Sequence, residues 1–230
     1  MTTINGAAAL VTGGQRGLGH AIVDELLAAG AVKVYATART PRPSDDARIV
    51  PLPLEVTDQG SVDALAKAAG DVSIVVNNAG ATIRGPLLGN GIDDVRALFD
   101  INVFGPLRVA KAFAPALAAN GGGALVDIHS VLSWAAGFGA YGATKAAIWS
   151  VTNSLRLELA AQGTLVTGVH VGYIDTDMTA DLDVPKQDAS DIARQIVTAI
   201  EKDEPEVLAD DLSRHIKSAL SGPVSGLSGR

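Results

Sequence analysis

Tyr141 and Lys145 stand four residues apart in Tyr141-Gly142-Ala143-Thr144-Lys145, the spacing that sets two side chains on one face of a helix. A phenol beside an ammonium is a pair suited to moving a proton. Free tyrosine titrates near pKa ~10, so a nearby cation is needed to favour phenolate at neutral pH. Alone, such a pair is commonest on a solvated helix face. A second candidate lies near the amino end, in Thr12-Gly13-Gly14-Gln15-Arg16-Gly17-Leu18-Gly19. Glycines let the backbone turn sharply and approach a pyrophosphate with no Cβ in the way. A helix that follows aims its free N–H groups and positive dipole end at that phosphate. An ordinary strand-to-helix turn reads the same way in isolation, and position at the first such turn favours the phosphate.

Alternating elements must position these groups. Short apolar or β-branched runs predict strands at 8–12, 32–36, 49–54, 72–77, 123–128, 165–171 and 206–209. Between them, amphipathic stretches predict helices near 17–29, 61–69, 92–119, 141–162, 189–202 and 211–220. This rhythm is that of βαβ units, an α/β doubly wound parallel sheet flanked by helices. One crossover departs from it: residues 39–48 read RTPRPSDDAR, and Pro41 and Pro43 predict an extended loop. No repeat or linker interrupts the 230 residues, so residues 1–230 read as one domain.

Composition excludes several classes of function. A formal net charge of −7, with no Lys/Arg cluster, argues against nucleic acid and anionic membranes. The absence of cysteine removes disulfides, thiolate zinc sites and a cysteine nucleophile together. His20, His129, His170 and His215 lack ligand spacing, so no metal is expected. The N-terminal residues do not read as a secretory leader, and a cytoplasmic location is the default expectation. His129 adjoins Ser130, but strand alternation turns the two side chains to opposite sides, and no GxSxG elbow is present.

TGGQRGLG matches the TGxxxGxG form of the short-chain dehydrogenase/reductase family, and four further stretches resemble that family in order. They are Asn77-Asn78-Ala79-Gly80, Asn102 within Phe99-Asp100-Ile101-Asn102-Val103, Ser130, and the YxxxK of Tyr141 and Lys145. The resemblance runs from Ala7 to about Ser221. It implies a Rossmann-type domain that moves a hydride between a nicotinamide cofactor and a small carbonyl or alcohol. Tyr141 would be the general acid or base, its pKa lowered by Lys145 and by the oxidised nicotinamide. Lys145 would also hold the ribose hydroxyls, Ser130 would hydrogen-bond the substrate oxygen, and Asn102 would hold a water linking Lys145 to solvent.

Three departures accompany the resemblance. The Ser130–Tyr141 loop is short by a couple of residues, the family's PG is here Val171-Gly172, and the crossover at Pro41 lacks the usual helix. Cofactor contacts fall by resemblance on Gly13, Gln15, Arg16, Gly17, Leu18, Gly19, Glu55, Val56, Asn78, Ala79, Gly80, Ile174 and Thr176, with Tyr141 and Lys145. Ala38 takes the position where NAD binders carry an acid, and Arg39 follows it. Arg39, with Arg16 opposite, would fork a 2′-phosphate, which favours NADP over NAD. Ile83, Leu132, Trp134, Phe138, Tyr173 and Met178 are candidates for an apolar pocket. Beside the acidic segment 177–190 they suggest a neutral ketone, aldehyde or secondary alcohol. Apolar residues such as Phe113, Ile148 and Trp149 on the long helices suggest a homodimer or homotetramer. The alternative is a non-catalytic NADP-binding sensor of the same fold.

Overall fold

Runs of Val, Ile, Leu and Ala without polar alternation form the strands, because helices cover both faces of each. The computed structural model describes residues 2–228. In it β1 (Ala8–Val11), β2 (Lys33–Ala38), β3 (Ile49–Pro53), β4 (Ile74–Asn77), β5 (Ala124–Ile128), β6 (Leu165–His170) and β7 (Glu206–Leu208) make one sheet. Every pairing is parallel and the order is β3-β2-β1-β4-β5-β6-β7, a Rossmann-type doubly wound sheet. Period-2 alternation splits the core in two. Ala9, Val11, Val76 and Val126 meet α1 (Gly17–Ala28) and α6 (Ala189–Glu201). Leu10, Val75 and Leu125 meet α2 (Gln59–Ala68), α4 (Gly105–Ala119) and α5 (Gly139–Glu158) on the other face. Two further helices, α3 (Ile92–Phe99) and α7 (Asp211–Ala219), lie toward the carboxyl edge of the sheet and its β7 end.

The expected crossover loop at 39–48 carries no helix. The helix expected over 92–119 is instead divided into α3, a π turn at Asp100–Phe104, and α4. Pro106 gives the reason. It has no N–H to donate to the Asn102 carbonyl four residues earlier, so the regular ladder cannot form there. The helix expected from Tyr141 starts earlier, at Gly139, and its last turn is a 3-10 turn at Ala160–Gln162. The C-terminal segment folds back on the Ser130–Tyr141 loop: Ala136 N donates to Leu227 O at 2.8 Å. Among the described residues no helix is long and apolar enough to cross a membrane.

The missing proline of the β6 turn has a substitute. Gly172 N donates to Asp210 Oδ2 at 2.6 Å, and the other oxygen of Asp210 caps α7 through Ser213 N. Phe113 and Ile148, offered above for association, are interior, and Trp149 packs edge-on against Trp134. The apolar side chains that remain exposed near these helices are Ile92, Phe104 and Leu157.

Candidate active site at the carboxyl edge of the sheet

The strand order reverses between β1 and β4, and a crevice opens there at the carboxyl ends of the strands. α1 begins at its rim with no side-chain cap on Arg16 and no acidic residue in its first turn. By contrast α2, α6 and α7 are capped by Asp58, Asp188 and Asp210. An uncapped, unopposed helix start is the arrangement that suits a pyrophosphate. The loop before it is tightly closed: a Cβ on Gly19 would fall 2.2 Å from Gly13 O and 2.6 Å from Asn78 Nδ2.

Thr12, the first residue of the glycine-loop match, organises this half of the site, a role the spacing does not reveal. Its Oγ1 accepts from Asn78 N and Ala79 N, both at 3.0 Å, while Asn78 Nδ2 donates back to Thr12 O and Gly13 O. The Asn78 amide is therefore a brace for the glycine loop. Gln15 is also occupied: its amide both donates to Arg42 O and accepts from Arg42 N, at 2.7 and 2.8 Å, pinning the crossover loop. That pin brings the guanidinium of Arg42, a missed residue, to 3.5 Å from Gln15 O. Its only sequence signal was its place in RTPR. Arg39, just past β2, is exposed and makes no hydrogen bond or ion pair among the described residues. Arg16 faces Asp177 at 3.6 Å.

The other expected contacts divide by backbone and side chain. Glu55 Oε1 accepts from Thr57 N and Oγ1, and the side chains of Val56 and Leu18 turn into the core. The Ile174 carbonyl accepts the Thr179 hydroxyl. Thr176 closes on the glycine loop, its Cγ2 lying 3.2 Å from where a Cβ on Gly17 would stand. Gly80 abuts the Asn102 carboxamide, whose Oδ1 would lie 3.3 Å from a Cβ there.

Asn102, Ser130, Tyr141 and Lys145 are held at one end of the sheet by separate sets of hydrogen bonds. Asn102 Oδ1 accepts from Ala81 N, and its Nδ2 donates to Ala81 O and to Thr144 Oγ1, at 2.9, 2.9 and 3.1 Å. Both amide protons are in use, so a water held here would meet Asn102 as an acceptor. Lys145 Nζ donates to Ile128 O at 2.8 Å, two residues before Ser130. Ser130 Oγ receives Leu132 N at 3.2 Å and lies 3.3 Å from Val171 O. The Lys145 ammonium stands over the Tyr141 ring, 5.6 Å from its centroid.

Burial pushes the Tyr141 phenol up, to about 12, the direction opposite to the lowering expected from Lys145 and an oxidised nicotinamide acting together. The same burial lowers Lys145 to about 8. A dry site disfavours both charged forms, and one ammonium over the ring does not reverse that. Trp134 stacks on His170, 3.9 Å between centroids, with its back to Trp149 and Lys217. An apolar cleft of about 420 Å³, lined by Pro86, Leu87, Leu132, Phe138 and Gly142 as well as Trp134, lies along the start of α5. A larger hollow of about 470 Å³, at Thr2, Ser73, Gly121 and Thr164, opens at the amino ends of the strands, away from this chemistry. Two ion pairs tie the segment after β6 to the cleft walls, Arg16 to Asp177 and Arg84 to Asp181.

Residues 7–187 match the family described as short chain dehydrogenase. An uncharacterized oxidoreductase of Staphylococcus epidermidis is 32% identical over 218 residues, covering 87% of this chain and 93% of that protein. A short chain dehydrogenase from Burkholderia cenocepacia, solved in complex with NADP, is 34% identical with a TM-score of 0.90, covering 98% of this chain and 97% of that one. One from Streptomyces avermitilis is 30% identical with a TM-score of 0.84, covering 94% and 92%. A Burkholderia phymatum enzyme solved with NAD shares the fold at 21% identity, with a TM-score of 0.84 and coverage of 96% of each chain. This chain belongs to the short-chain dehydrogenase family of oxidoreductases.

Proposed function

We propose that the protein is an NADPH-preferring carbonyl reductase or alcohol dehydrogenase acting on small, neutral, partly apolar substrates, with residues 2–228 working as one domain. The observation that carries this reading is the Tyr141–Lys145 pair, a half-buried phenol beside a buried ammonium that bonds to Ile128 O, two residues before Ser130. A bound nicotinamide would supply or accept the hydride. Tyr141 would give its phenolic proton to the carbonyl oxygen as charge develops there, or take it back in the alcohol-oxidising direction. With its pKa raised, the phenol is protonated at neutral pH, the form that the reducing direction requires. Ser130 would turn its hydroxyl from Val171 O to the same oxygen. Lys145 would hold the ribose hydroxyls, and Asn102 would contribute through its carbonyl to a water path for reprotonation.

The NADP preference is supported by three guanidinium groups around the β2 end: unpaired Arg39, Arg42 beside the glycine loop, and Arg16. Asp177 is the rival for Arg16, and a 2′-phosphate would have to displace it. The cleft lined by Pro86, Leu87 and Phe138 favours an apolar substrate body. Self-association is proposed on exposed Ile92, Phe104 and Leu157.

The test is NADPH oxidation by the purified protein against a panel of ketones and aldehydes, with Tyr141→Phe beside it. Turnover should fall by roughly 10²–10⁴-fold in the variant while NADPH binding persists. Near-wild-type turnover in Tyr141→Phe would sink the assignment. Binding of NADPH with no turnover on any substrate would favour the sensor.

A further inference from the structure

Behind the side chains just described lies a second polar array that the reaction does not use. It is seated on β5, β6 and α5. Asp127, Thr152, His129 and His170 are buried, each no more than 2% exposed, in a line that ends at the Ser130 carbonyl. Thr152 Oγ1 lies 2.6 Å from Asp127 Oδ2 and 2.8 Å from His129 Nε2. His129 Nδ1 is 3.2 Å from His170 Nε2, and His170 Nδ1 is 3.3 Å from Ser130 O. The other Asp127 oxygen accepts from Asn77 Nδ2 at 2.9 Å. Room for the first imidazole exists because residue 168 is glycine: a Cβ there would sit 2.7 Å from His129 Cε1.

Proton counting decides the state of this line. It has four contacts and ends in an acceptor at each side, a carbonyl and a carboxyl. Two neutral imidazoles and one hydroxyl carry three protons. With Asp127 ionised, Thr152 must donate to it and His129 must donate to Thr152. His170 then turns a bare Nδ1 lone pair on the Ser130 carbonyl, a buried acceptor against an acceptor. Turning the Thr152 proton to Ile148 O, 2.9 Å away, makes the same demand on His129. A fourth proton satisfies every contact, and placing it on His129 instead of Asp127 would bury an imidazolium and a carboxylate on either side of the Thr152 hydroxyl.

We propose that Asp127 holds that fourth proton as a neutral carboxylic acid, and that with Thr152, His129 and His170 it forms a positioning array that braces the Ser130 strand end and leaves the Lys145 charge free for Tyr141. The donors then all run one way, from Asp127 to Thr152, to His129 Nε2, from His129 Nδ1 to His170 Nε2, and from His170 Nδ1 to Ser130 O. Both imidazoles are Nδ1–H tautomers. Burial acts in the same direction, pushing the carboxyl up and both imidazoles down, His170 to about 3. The charges around the line are Lys145 and Arg156 from α5, Lys217 from α7 and Glu206 from β7. Glu206 approaches His170 only to 3.8 Å and is itself paired with Lys217 at 2.6 Å, so it does not hold an imidazolium. Among the described residues no ion pair joins Lys145 to Asp127, and the ammonium bonds to Ile128 O instead.

The role assigned to Lys145 and Tyr141 rests on the proposed function, but the proton state is read on cofactor-free protein without turnover. Nitrogen-15 spectra of the imidazoles should show Nδ1–H tautomers for His129 and His170 at pH 7. The carbon-13 shift of the Asp127 carboxyl should be that of a protonated acid. An Nε2–H tautomer at His129, or an ionised Asp127, overturns the proposal. Asp127→Asn keeps the shape and the donor, so the Lys145 titration midpoint should stay in place. A midpoint lower by about one pH unit or more would mean that an ionised carboxylate had been holding that proton, and would overturn it too. Thr152→Ser should preserve the His129 tautomer and Thr152→Val should release it. If these readouts hold and no carbonyl is reduced, only the functional reading fails.

Discussion

On the β1–β2 side of the cleft the charged groups stand in water: the side chains of Arg16 and Asp177 are 72% and 81% exposed. On the β5–α5 side Lys145, Asp127 and both imidazoles are enclosed, and burial moves each titration. The same kinds of residue therefore do different work on the two sides. In water a pair of charges at 4 Å is worth about 1 kcal/mol and salt weakens it further, whereas removal from solvent multiplies the interaction and adds a desolvation cost. Selection between two dinucleotides differing by one phosphate belongs on the wet side, where a charge can be offered at little cost to the fold. Control of a proton belongs on the dry side. The wet side should respond to salt and the dry side to pH.

The largest break in that contrast is Lys145→Met. Turnover should fall by at least about 10²-fold and cofactor affinity should drop with it, because two roles are removed together. The stability effect has a definite sign. The unfolded chain keeps this proton to about 10.5 and the folded chain releases it near 8. Folding is then coupled to proton release, and stability rises with pH between those values. Between pH 8 and 10, below the Tyr141 window, the rise should amount to roughly 2–3 kcal/mol. Urea titrations of cofactor-free protein should show it in the wild type and lose it in Lys145→Met. An equal rise in both would place Lys145 on the wet side.

Arg39→Ala should give the next effect. NADPH should bind about ten- to a hundredfold more weakly, with NADH nearly unchanged, the loss expected for one charge-assisted contact. Ala38→Asp should go further, since a carboxylate repels the phosphate and offers a partner to a free ribose hydroxyl. Titrations of both cofactors at low and high salt separate the cases. A preference that ignores salt, or equal binding of NADH and NADPH by the wild type, removes Arg39 from the site.

The smallest effect should come from Arg84→Ala. Its pair with Asp181 is half exposed, 52% and 66%, though it spans from the loop after β4 to the segment after β6. Such a pair is worth about 0–1 kcal/mol, so thermal unfolding should shift by a few degrees at most and less in high salt. A loss clearly above that range would show that the dry region extends under the segment after β6.

Much of this was legible without coordinates. The seven strands, the helix-free crossover at Pro41 and the order of the glycine loop, Asn102, Ser130, Tyr141 and Lys145 follow from local patterns that each span only a few residues. The roles of Thr12 and Arg42 were not legible because they lie in contacts to residues 66 and 27 positions away, Asn78 and Gln15. The partners of Trp134 are not legible either, because an aromatic in a short loop has no periodicity to say which way it faces. Its direction is set by His170 on another strand and by the C-terminal segment that returns to Ala136.

The sequence by itself determined the fold and the chemical vocabulary of the site. Helix and strand periods, proline's missing N–H and the i, i+4 spacing of Tyr141 and Lys145 are local properties of the chain. Only the tertiary structure decided the electrostatics. Whether Tyr141 sits near 10 or near 12, and whether Asp127 neighbours an ion or a line of hydrogen bonds, depends on how much water the packed elements exclude. Desolvation is a sum over everything nearby in space, and no spacing along the chain encodes it.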